Sequence, residues 1–378
     1  MFTHICVNFT GNKVHAELVR GMARIDERHS HVFVPCKSRS LFGRNDPGLP
    51  NVTVTYFYVP AFLRYFQLLK IGYSFLYILI LCRRRGIDLR AKPILAHTFW
   101  SDGVLAYLID KVYRCGYVLT VRSTDVNVFF RYGYHLRSIM RAVGAAARAI
   151  VSPNAAYIAH ARRLAWLRLD NRKLHFIPNP IPDWWYESIR DPGLAQQARN
   201  GLQGCFVGEF SANKNIRSVV QACQALRQAG LAVRLACVGG TAQQLEQAVG
   251  ISPLPDWIEA KGRIHDRRAL AAVYRQSRFL VVPSFRETFG MVYLEALSQG
   301  CIIIYSRGQA VDGIFDDPDI QYRVDPHSVT DIRAAMADAV QSGCRIDPQR
   351  SEELLDRFKV PAVVATYRAF AQKDGGQR

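Results

Sequence analysis

The chain has 378 residues, of which 49% are hydrophobic and 21% charged, and its formal net charge is +18. This length fits two domains of ordinary size, and the composition excludes disordered and fibrous proteins. The charge is uneven, because residues 1–180 hold 26 Lys and Arg against 9 Asp and Glu. A basic first half suits nucleic acid, anionic lipid or a phosphorylated substrate, and charge alone does not choose among them.

The nine cysteines are scattered without the paired spacing of a metal site. Several lie in apolar runs, which predicts buried thiols in a reducing compartment. The first apolar stretch, His4–Phe9, is short and lacks a basic leader, so it predicts a strand and not a signal peptide. We therefore expect a cytoplasmic protein.

The first half alternates apolar, β-branched runs with amphipathic stretches, a pattern typical of parallel strands joined by helices. The predicted strands are His4–Phe9, His31–Pro35, Val52–Tyr58, Ile94–His97, Tyr117–Val121, Ala149–Ser152 and Leu174–Ile177.

The segment Tyr56–Arg85 is rich in aromatic and leucine residues and ends in three consecutive arginines. Its uninterrupted apolar part, Ile71–Cys82, is too short to span a bilayer. Two interpretations stay open. The segment is either a buried helix with a solvated basic end or a helix resting in an anionic membrane interface, with Arg83–Arg85 at the headgroups.

A break at Asn179–Asp183, followed by a polar stretch containing Asp191–Gly193, marks the predicted linker. The second half then repeats the alternation, so the sequence predicts two Rossmann-like halves in series. In such sheets ligands lie beyond the carboxyl ends of the strands. The predicted strands of this half are Cys205–Gly208, Val233–Val238, Trp257–Glu259, Phe279–Pro283, Cys301–Tyr305 and Ile320–Val324.

The stretch Pro283–Gly300 predicts a loop and a helix after the fourth of these strands. Thr288 is expected to cap a helix whose first turn includes Gly290 and Met291, where free N–H groups form an anion site. Gly290 lets a phosphate approach the backbone closely. Glu295, more than a turn further on, is expected to reach the hydroxyls of a ribose.

Two glutamates in this stretch, Glu287 and Glu295, have seven residues between them. They resemble the E-x7-E motif of retaining GT-B glycosyltransferases, in particular family 4 (glycosyltransferases group 1). Pro283–Ser284, Gly300 and Gly308–Asp312 match the motif's flanking positions. The resemblance implies that Glu287 faces the sugar of a nucleotide-sugar donor and Glu295 its ribose.

The resemblance also implies the fold, an α/β GT-B architecture of two Rossmann-like domains facing each other across a cleft. Residues 1–190 would bind the acceptor and residues 191–357 the nucleotide-sugar. Residues 358–378 would form a helix that crosses back to the first domain.

Val207–Asn215 is similar to the segment that opens the family's second domain. This similarity implies that Gly208 and Lys214 meet the donor diphosphate, a role that suits a mobile ammonium group. Glu209 departs from the family, which usually has a phosphate-binding arginine at this position.

The first half carries weaker matches. Gly11 follows the first strand and resembles a glycine loop that approaches donor and acceptor. Thr120–Asn127 is similar to a family segment whose histidine touches the donor sugar and phosphate, but Arg122 stands in its place, and it either serves there as a fixed cation or pairs structurally with Asp125. His97 matches only loosely and is as well explained by a satisfied histidine at a strand end.

The expected function is therefore retaining, metal-independent transfer of a sugar from a UDP- or GDP-sugar to a lipid-linked or membrane-proximal saccharide in surface polysaccharide synthesis. We expect no cofactor, no metal and no nucleic-acid partner, because Asp316–Asp319 reads as a turn and no nucleic-acid motif is present. An anionic membrane surface is an expected partner of a peripheral protein on the inner face of the membrane. Two alternatives stay open, a sugar-nucleotide epimerase of the same fold and a basic binding protein on a decayed enzyme frame. The expected catalytic residues are Arg122, Lys214 and Glu287; the donor-binding residues Gly11, Gly208, Lys214, Glu287, Phe289, Gly290, Met291 and Glu295; and the further donor-sugar or acceptor residues His97 and Asp125.

Overall fold

The computed structural model describes residues 1–11, 13–191, 203–342, 344 and 346–372. The chain divides into two compact units. Unit 1 comprises Met1–Pro180 together with Val360–Arg378, and unit 2 comprises Ile181–Lys359. The polar stretch predicted as the end of the linker lies largely outside the described residues.

Unit 1, within its described residues, is built on a parallel sheet of seven strands in the order β3-β2-β1-β4-β5-β6-β7. Every predicted strand of the first half is confirmed, although the first is shorter than expected because the chain turns after Ile5. The strands are β1 Thr3–Ile5, β2 Ser30–Cys36, β3 Val52–Tyr58, β4 Ile94–Ala96, β5 Tyr117–Thr120, β6 Ala149–Ser152 and β7 Leu174–Phe176.

Helices cover both faces of this sheet because successive side chains of a strand point to opposite sides. Tyr117 and Leu119 pack into one core cluster, and Val118 between them packs into another with Tyr367. The helices of unit 1 are α1 Lys13–Ile25, α2 Gln67–Arg85, α3 Ser101–Tyr113, α4 Phe130–Tyr132, α5 Arg137–Ala146 and α6 Ala155–Arg163. A last helix, Val360–Ala371, closes unit 1 and is numbered α14 below, after those of unit 2.

Unit 2 repeats the plan with a parallel sheet in the order β10-β9-β8-β11-β12-β13. The strands predicted for the second half are confirmed as β8 Gln203–Val207, β9 Arg234–Val238, β10 Ile258–Ala260, β11 Phe279–Val282, β12 Ile302–Ser306 and β13 Gln321–Val324. Its helices are α7 Asp183–Glu187, α8 Ile216–Gln228, α9 Ala242–Val249, α10 Arg267–Gln276, α11 Met291–Ser298, α12 Val329–Gln341 and α13 Pro348–Leu355.

Helix α2 has two apolar faces. Ile71, Ser74, Ile78 and Cys82 form a buried face toward the core of unit 1. A second face is exposed, since Leu69, Leu76 and Ile80 keep 62%, 58% and 52% of their surface in solvent. The interpretation of this segment as a buried helix therefore accounts for one face of α2 and leaves its exposed apolar face unexplained. Among the helices in the described parts of the chain, none combines the length and the apolar character needed to cross a membrane.

Candidate functional site

The loop after β8 brings Lys214 to the carboxyl edge of the unit 2 sheet. The Gly208 N–H donates to the carbonyl of Val238 at 2.9 Å, which holds the end of β8 against β9. The chain then forms a short 3-10 turn, Ala212–Lys214, and α8 begins only after Asn215, whose backbone is left-handed at φ 60°. The left-handed Asn215 thus separates the turn that holds Lys214 from the helix.

The loop after β11 lies against this turn. The Phe285 N–H donates to the Asn213 carbonyl at 2.9 Å, and the Asn213 amide donates to the Arg286 carbonyl at 3.0 Å. The Lys214 ammonium forms an ion pair with the Glu287 carboxylate. The two side chains are only 24% and 17% exposed, so their attraction is screened less than that of a surface pair. The structure thus brings together two of the predicted site residues.

Helix α11 begins at Met291 with Gly290 as its N-cap, in a left-handed conformation at φ 72°. Thr288 does not cap this helix, contrary to expectation, because the glycine supplies the turn directly. A Cβ atom at Gly290 would lie 2.4 Å from the ring of Tyr293. Only glycine fits this position, and the helix that begins directly after it has the N-terminal N–H groups that can bind an anion.

The turn after β12 holds the backbone of Glu287 in place. The sequence pattern did not predict this contact. The Glu287 N–H donates to Oε1 of Gln309 at 2.9 Å, and its carbonyl accepts from the Ala310 N–H at 3.1 Å. Asp312 in turn accepts from the Gly308 N–H at 2.6 Å. The conformation of this turn therefore fixes where the Glu287 carboxylate stands.

Glu295 lies on α11, partly buried, and its carboxylate accepts a hydrogen bond from the Tyr274 hydroxyl at 3.2 Å. Burial raises the pKa of Glu295 to about 7, against smaller lowering effects of Tyr274 and Arg267. Tyr274 had no signal in the sequence, since a buried tyrosine on an amphipathic helix is ordinary core. Phe289, predicted as a donor contact, is buried with its ring 6.1 Å from that of Phe358, so its side chain belongs to the core.

A cavity of about 460 Å³ opens beyond the ends of β8 and β9, next to the same loops. Glu209 and Arg263 both line it. Glu209 stands at the sequence position where the family usually has an arginine, and Arg263 supplies an arginine to the same cavity from a different loop. Gly239 lets the ends of β8 and β9 approach, because a Cβ there would lie 1.8 Å from the Gly208 carbonyl oxygen. The cavity and Lys214 share the loop after β8, because Glu209 and Ser211 line the cavity and Lys214 ends the turn that follows them.

In unit 1, Gly11 lines a separate cavity beyond the carboxyl ends of β1, β2 and β3. Asp125 does not line it. Its carboxylate is buried and accepts from the N–H groups of Phe99, Trp100 and Arg122 at 2.9–3.0 Å. Asp125 therefore ties the segment after β4 to the segment after β5.

The Arg122 guanidinium is partly buried. One alternative was that it pairs with Asp125, but only the backbone N–H of Arg122 bonds to that carboxylate. The Arg122 Nη1 donates to Oδ1 of Asn179 at 3.4 Å, and its Nε has no hydrogen-bond partner among the described residues. An arginine keeps its charge at any ordinary pH. A buried charge of this kind has unused donors with which to meet an anion.

His97 is fully buried in a row of histidines. One ring nitrogen lies 3.2 Å from His4 and the other 3.0 Å from His15. Burial lowers the pKa of His97 and of His15 well below the ordinary value, so both rings are neutral. His97 is thus a hydrogen-bonded core histidine, and its two partners had no sequence signal.

Among the described residues, one cluster brings three potential metal ligands together, and one turn is rich in carboxylates. The ligand atoms of Cys6, His15 and His97 lie within 4.8 Å of one another, but burial raises the pKa of the Cys6 thiol and disfavours the thiolate a metal needs. In the acidic turn, Asp317 and Asp319 form salt bridges with Arg350, as expected of a structural turn.

Comparison with known proteins finds relatives of the part of the chain that contains these loops. Residues 202–342 match the family described as Glycosyl transferases group 1. The D-inositol 3-phosphate glycosyltransferase of Corynebacterium kroppenstedtii is 30% identical over 108 residues, 29% of this chain and 22% of that protein. The O-antigen chain mannosyltransferase B of Escherichia coli is 29% identical over 140 residues, 36% of each chain. The matched stretches thus span only about a fifth and a third of these relatives.

The whole chain resembles solved structures more broadly. Anabaena Alr3699/HepE in complex with UDP superimposes with a TM-score of 0.72, covering 97% of this chain and 98% of that one at 13% identity. Such low identity establishes the fold alone. The chain therefore has the GT-B fold, and its residues 202–342 are similar to the family described as Glycosyl transferases group 1.

Proposed function

We propose that this chain is a retaining glycosyltransferase that moves a sugar from a UDP- or GDP-sugar onto a saccharide acceptor. The observation that carries the proposal is the contact of Lys214 with Glu287 beside the left-handed Gly290 that opens α11. A cation, a carboxylate and free helix N–H groups there meet at the carboxyl edge of one sheet. The cation and the helix N–H groups suit a diphosphate, and the carboxylate can accept hydrogen bonds from the hydroxyls of a sugar.

The donor would lie along this edge of unit 2. Its diphosphate meets the Lys214 ammonium and the amides of Gly290 and Met291, and its ribose hydroxyls meet Glu295. The base occupies the cavity of about 460 Å³ lined by Glu209 and Arg263. The sugar is then next to Glu287, whose backbone the turn after β12 holds in place.

The chemistry assigned to these groups is stabilisation of the leaving diphosphate. The bond between the anomeric carbon and the phosphate oxygen breaks as the acceptor hydroxyl attacks from the same face, and the departing phosphate takes the acceptor proton. Lys214 and the helix amides stabilise the growing negative charge, which is greatest in the transition state. In this proposal the protein's own cations do the work of a divalent metal.

The acceptor is proposed to be a lipid-linked or membrane-proximal saccharide of a surface polysaccharide. Two observations support it, the exposed apolar face of α2 and the three arginines, Arg83–Arg85, in its last turn. One matched relative is named as a mannosyltransferase of the O-antigen chain. The protein would then rest on the inner face of an anionic membrane with this helix in the interface.

The test is a thermal-shift panel of UDP- and GDP-sugars in the presence of EDTA. One nucleotide-sugar should raise the melting temperature of wild-type protein and raise that of Glu295→Ala less. A panel without any shift would contradict the proposal. NMR of the product anomer then tests retention, and an inverted product would remove the assigned mechanism.

The same samples separate the alternatives. A sugar-nucleotide epimerase would convert the donor without any acceptor, whereas a transferase needs one. A basic binding protein without catalytic function would bind vesicles and give no shift with any nucleotide-sugar.

A further inference from the structure

The cavity in unit 1 has a volume of about 520 Å³ and lies at the carboxyl ends of three parallel strands. Its wall includes Gly11 after β1, Lys37 after β2 and Pro60 after β3. Ligands of such sheets bind at this edge, and small-molecule sites measure roughly 300–1,000 Å³. The cavity therefore has the position and the size of a ligand site.

Its charge is of one sign. Three cationic side chains line it, Lys37, Arg44 and Lys70, and the described lining residues include no Asp or Glu. Throughout the parts of the chain that the structure describes, none of the three forms a salt bridge or a side-chain hydrogen bond. An anion bound in this cavity would therefore be surrounded by cationic side chains, which attract it, and would meet no carboxylate among the described lining residues.

Lys70 is the most constrained of the three because it lies partly buried on α2. Burial lowers the pKa of its ammonium group, and the charge that opposes this effect is that of Asp102. Asp102 is itself fully buried, accepts from the Val7 N–H at 3.0 Å, and has a pKa raised by burial to about 7. Burial thus disfavours the charged form of both groups, and an anion in the cavity would favour the charged ammonium of Lys70.

Most of the remaining wall is apolar, with Asn8 and Thr10 as its uncharged polar residues. Val7, Leu41 and Val59 line the cavity, and Ala61 at its rim is followed directly by the exposed Phe62. A free inorganic anion would leave most of this wall without contacts. An anion attached to a larger group, either a sugar or the start of a lipid chain, would fill the space.

We propose that this cavity binds a phosphate group carried by the acceptor, with Lys37, Arg44 and Lys70 donating charge-assisted hydrogen bonds to its oxygens. This proposal rests on the proposed glycosyltransferase activity, because it identifies the ligand of the cavity as the acceptor of the sugar. A phosphate ester of a free sugar and one linking a sugar to a lipid present the same chemistry to the three cations.

The experiment is calorimetric titration of the full chain, at constant ionic strength, with geranyl phosphate, geraniol, mannose 1-phosphate and mannose. At least one phosphate probe should bind ten or more times tighter than its uncharged counterpart. Lys37→Gln, Arg44→Gln and Lys70→Gln should each weaken that probe roughly tenfold, the usual effect of losing a hydrogen bond to a charged group. Lys37 and Arg44 are exposed, so their variants retain the fold even if Lys70→Gln does not.

The matched control is Arg90→Gln, which removes the same charge from an exposed residue before the amino end of β4. It should change the affinity less than twofold. Tighter binding of geranyl phosphate would identify a lipid-linked acceptor, and tighter binding of mannose 1-phosphate a soluble one.

Equal affinities for charged and uncharged probes would overturn the proposal, as would an equal loss in Arg90→Gln and the three cavity variants. Titration with UDP separates this failure from failure of the proposed function. A protein that binds UDP but shows no preference for phosphate probes would be a transferase with an uncharged acceptor. If the cavity binds the phosphate probes but the protein does not bind UDP, the cavity is a phosphate site and its proposed role in binding the acceptor is contradicted.

Discussion

Lys214 and Glu287 are 73 positions apart in the chain, and their side chains meet because β8 and β11 are neighbours in the sheet. The loops that follow two neighbouring parallel strands emerge at the same edge, so the contact is a consequence of topology. Since both side chains are partly buried, the pair holds the ammonium in one orientation. A preorganised cation stabilises a leaving group better than a mobile surface lysine does.

The first prediction concerns this pair. Lys214→Gln should slow transfer on the order of 10²-fold, because the lost cation acts on charge that develops in the transition state. Lys261→Gln is the matched control, since Lys261 pairs with the exposed Glu259 at 2.6 Å in the same unit. The measurement is the rate of transfer or donor hydrolysis with the nucleotide-sugar that gives the largest thermal shift. Equal rates in the two variants would remove Lys214 from the mechanism.

The second prediction follows from the raised pKa of Glu295, about 7 in the folded protein. Because the pKa of Glu295 is higher in the folded protein than in the unfolded chain, ionisation of its carboxyl destabilises the fold. This destabilisation is absent below the pKa that Glu295 has in the unfolded chain, and it is complete above about pH 7. Glu295→Gln should therefore gain stability over wild type as pH rises from 5 to 8, by about 1 kcal/mol after allowance for partial exposure. Urea unfolding at both pH values measures this gain. Glu259→Gln is the exposed control, and a pH-independent difference for Glu295→Gln would contradict the prediction.

At the scale of secondary structure, α11 depends on a single residue. Gly290 and Gly262 have nearly the same left-handed backbone, at φ 72° and 73°, but a Cβ at Gly262 would meet nothing within 4 Å. The ring that a Cβ at Gly290 would strike belongs to the buried Tyr293, whose hydroxyl donates to the Val282 carbonyl at 2.7 Å. That ring has no room to move aside.

The third prediction uses this pair of glycines. Both Gly290→Ala and Gly262→Ala add the backbone strain of a left-handed alanine, on the order of 1 kcal/mol. Gly290→Ala should cost about 1–3 kcal/mol more, through overpacking against the ring, and should also weaken nucleotide binding. Denaturant unfolding and the thermal shift with UDP measure the two effects. Equal destabilisation of the two variants would show that the ring does not constrain the start of α11.

The strands could be predicted because a strand buried on both faces reads as a continuous apolar run. The starts of α8 and α11 could not, since Asn215 and Gly290 set them through left-handed conformations that a helical pattern does not reveal. The E-x7-E spacing indicated Glu287 and Glu295. The partners Gln309 and Tyr274 come from distant elements, and only the folded sheet brings them to the site.

At the scale of the whole molecule, the positive charge and the large exposed apolar side chains of the described residues belong to the same unit. Residues 1–180 hold nearly the entire excess of basic over acidic side chains. The exposed face of α2 lies in this unit and ends at three arginines, so apolar contact and attraction to anionic lipid would act together. Apolar contact is insensitive to salt, whereas the electrostatic part weakens as the Debye length falls.

The fourth prediction is that the protein floats with phosphatidylglycerol vesicles at low salt, less at high salt, and not with neutral vesicles. Leu69→Glu/Leu76→Glu should abolish flotation, because two carboxylates would then lie on the face that meets the lipid. Val112→Glu/Val128→Glu introduces the same two charges at other exposed apolar positions of unit 1, 52% and 43% exposed, and should still float. If only the net charge of the protein attracted it to anionic vesicles, both double variants would lose the same small fraction of vesicle binding. Flotation of Leu69→Glu/Leu76→Glu at the wild-type level would place the membrane contact, if any, away from α2.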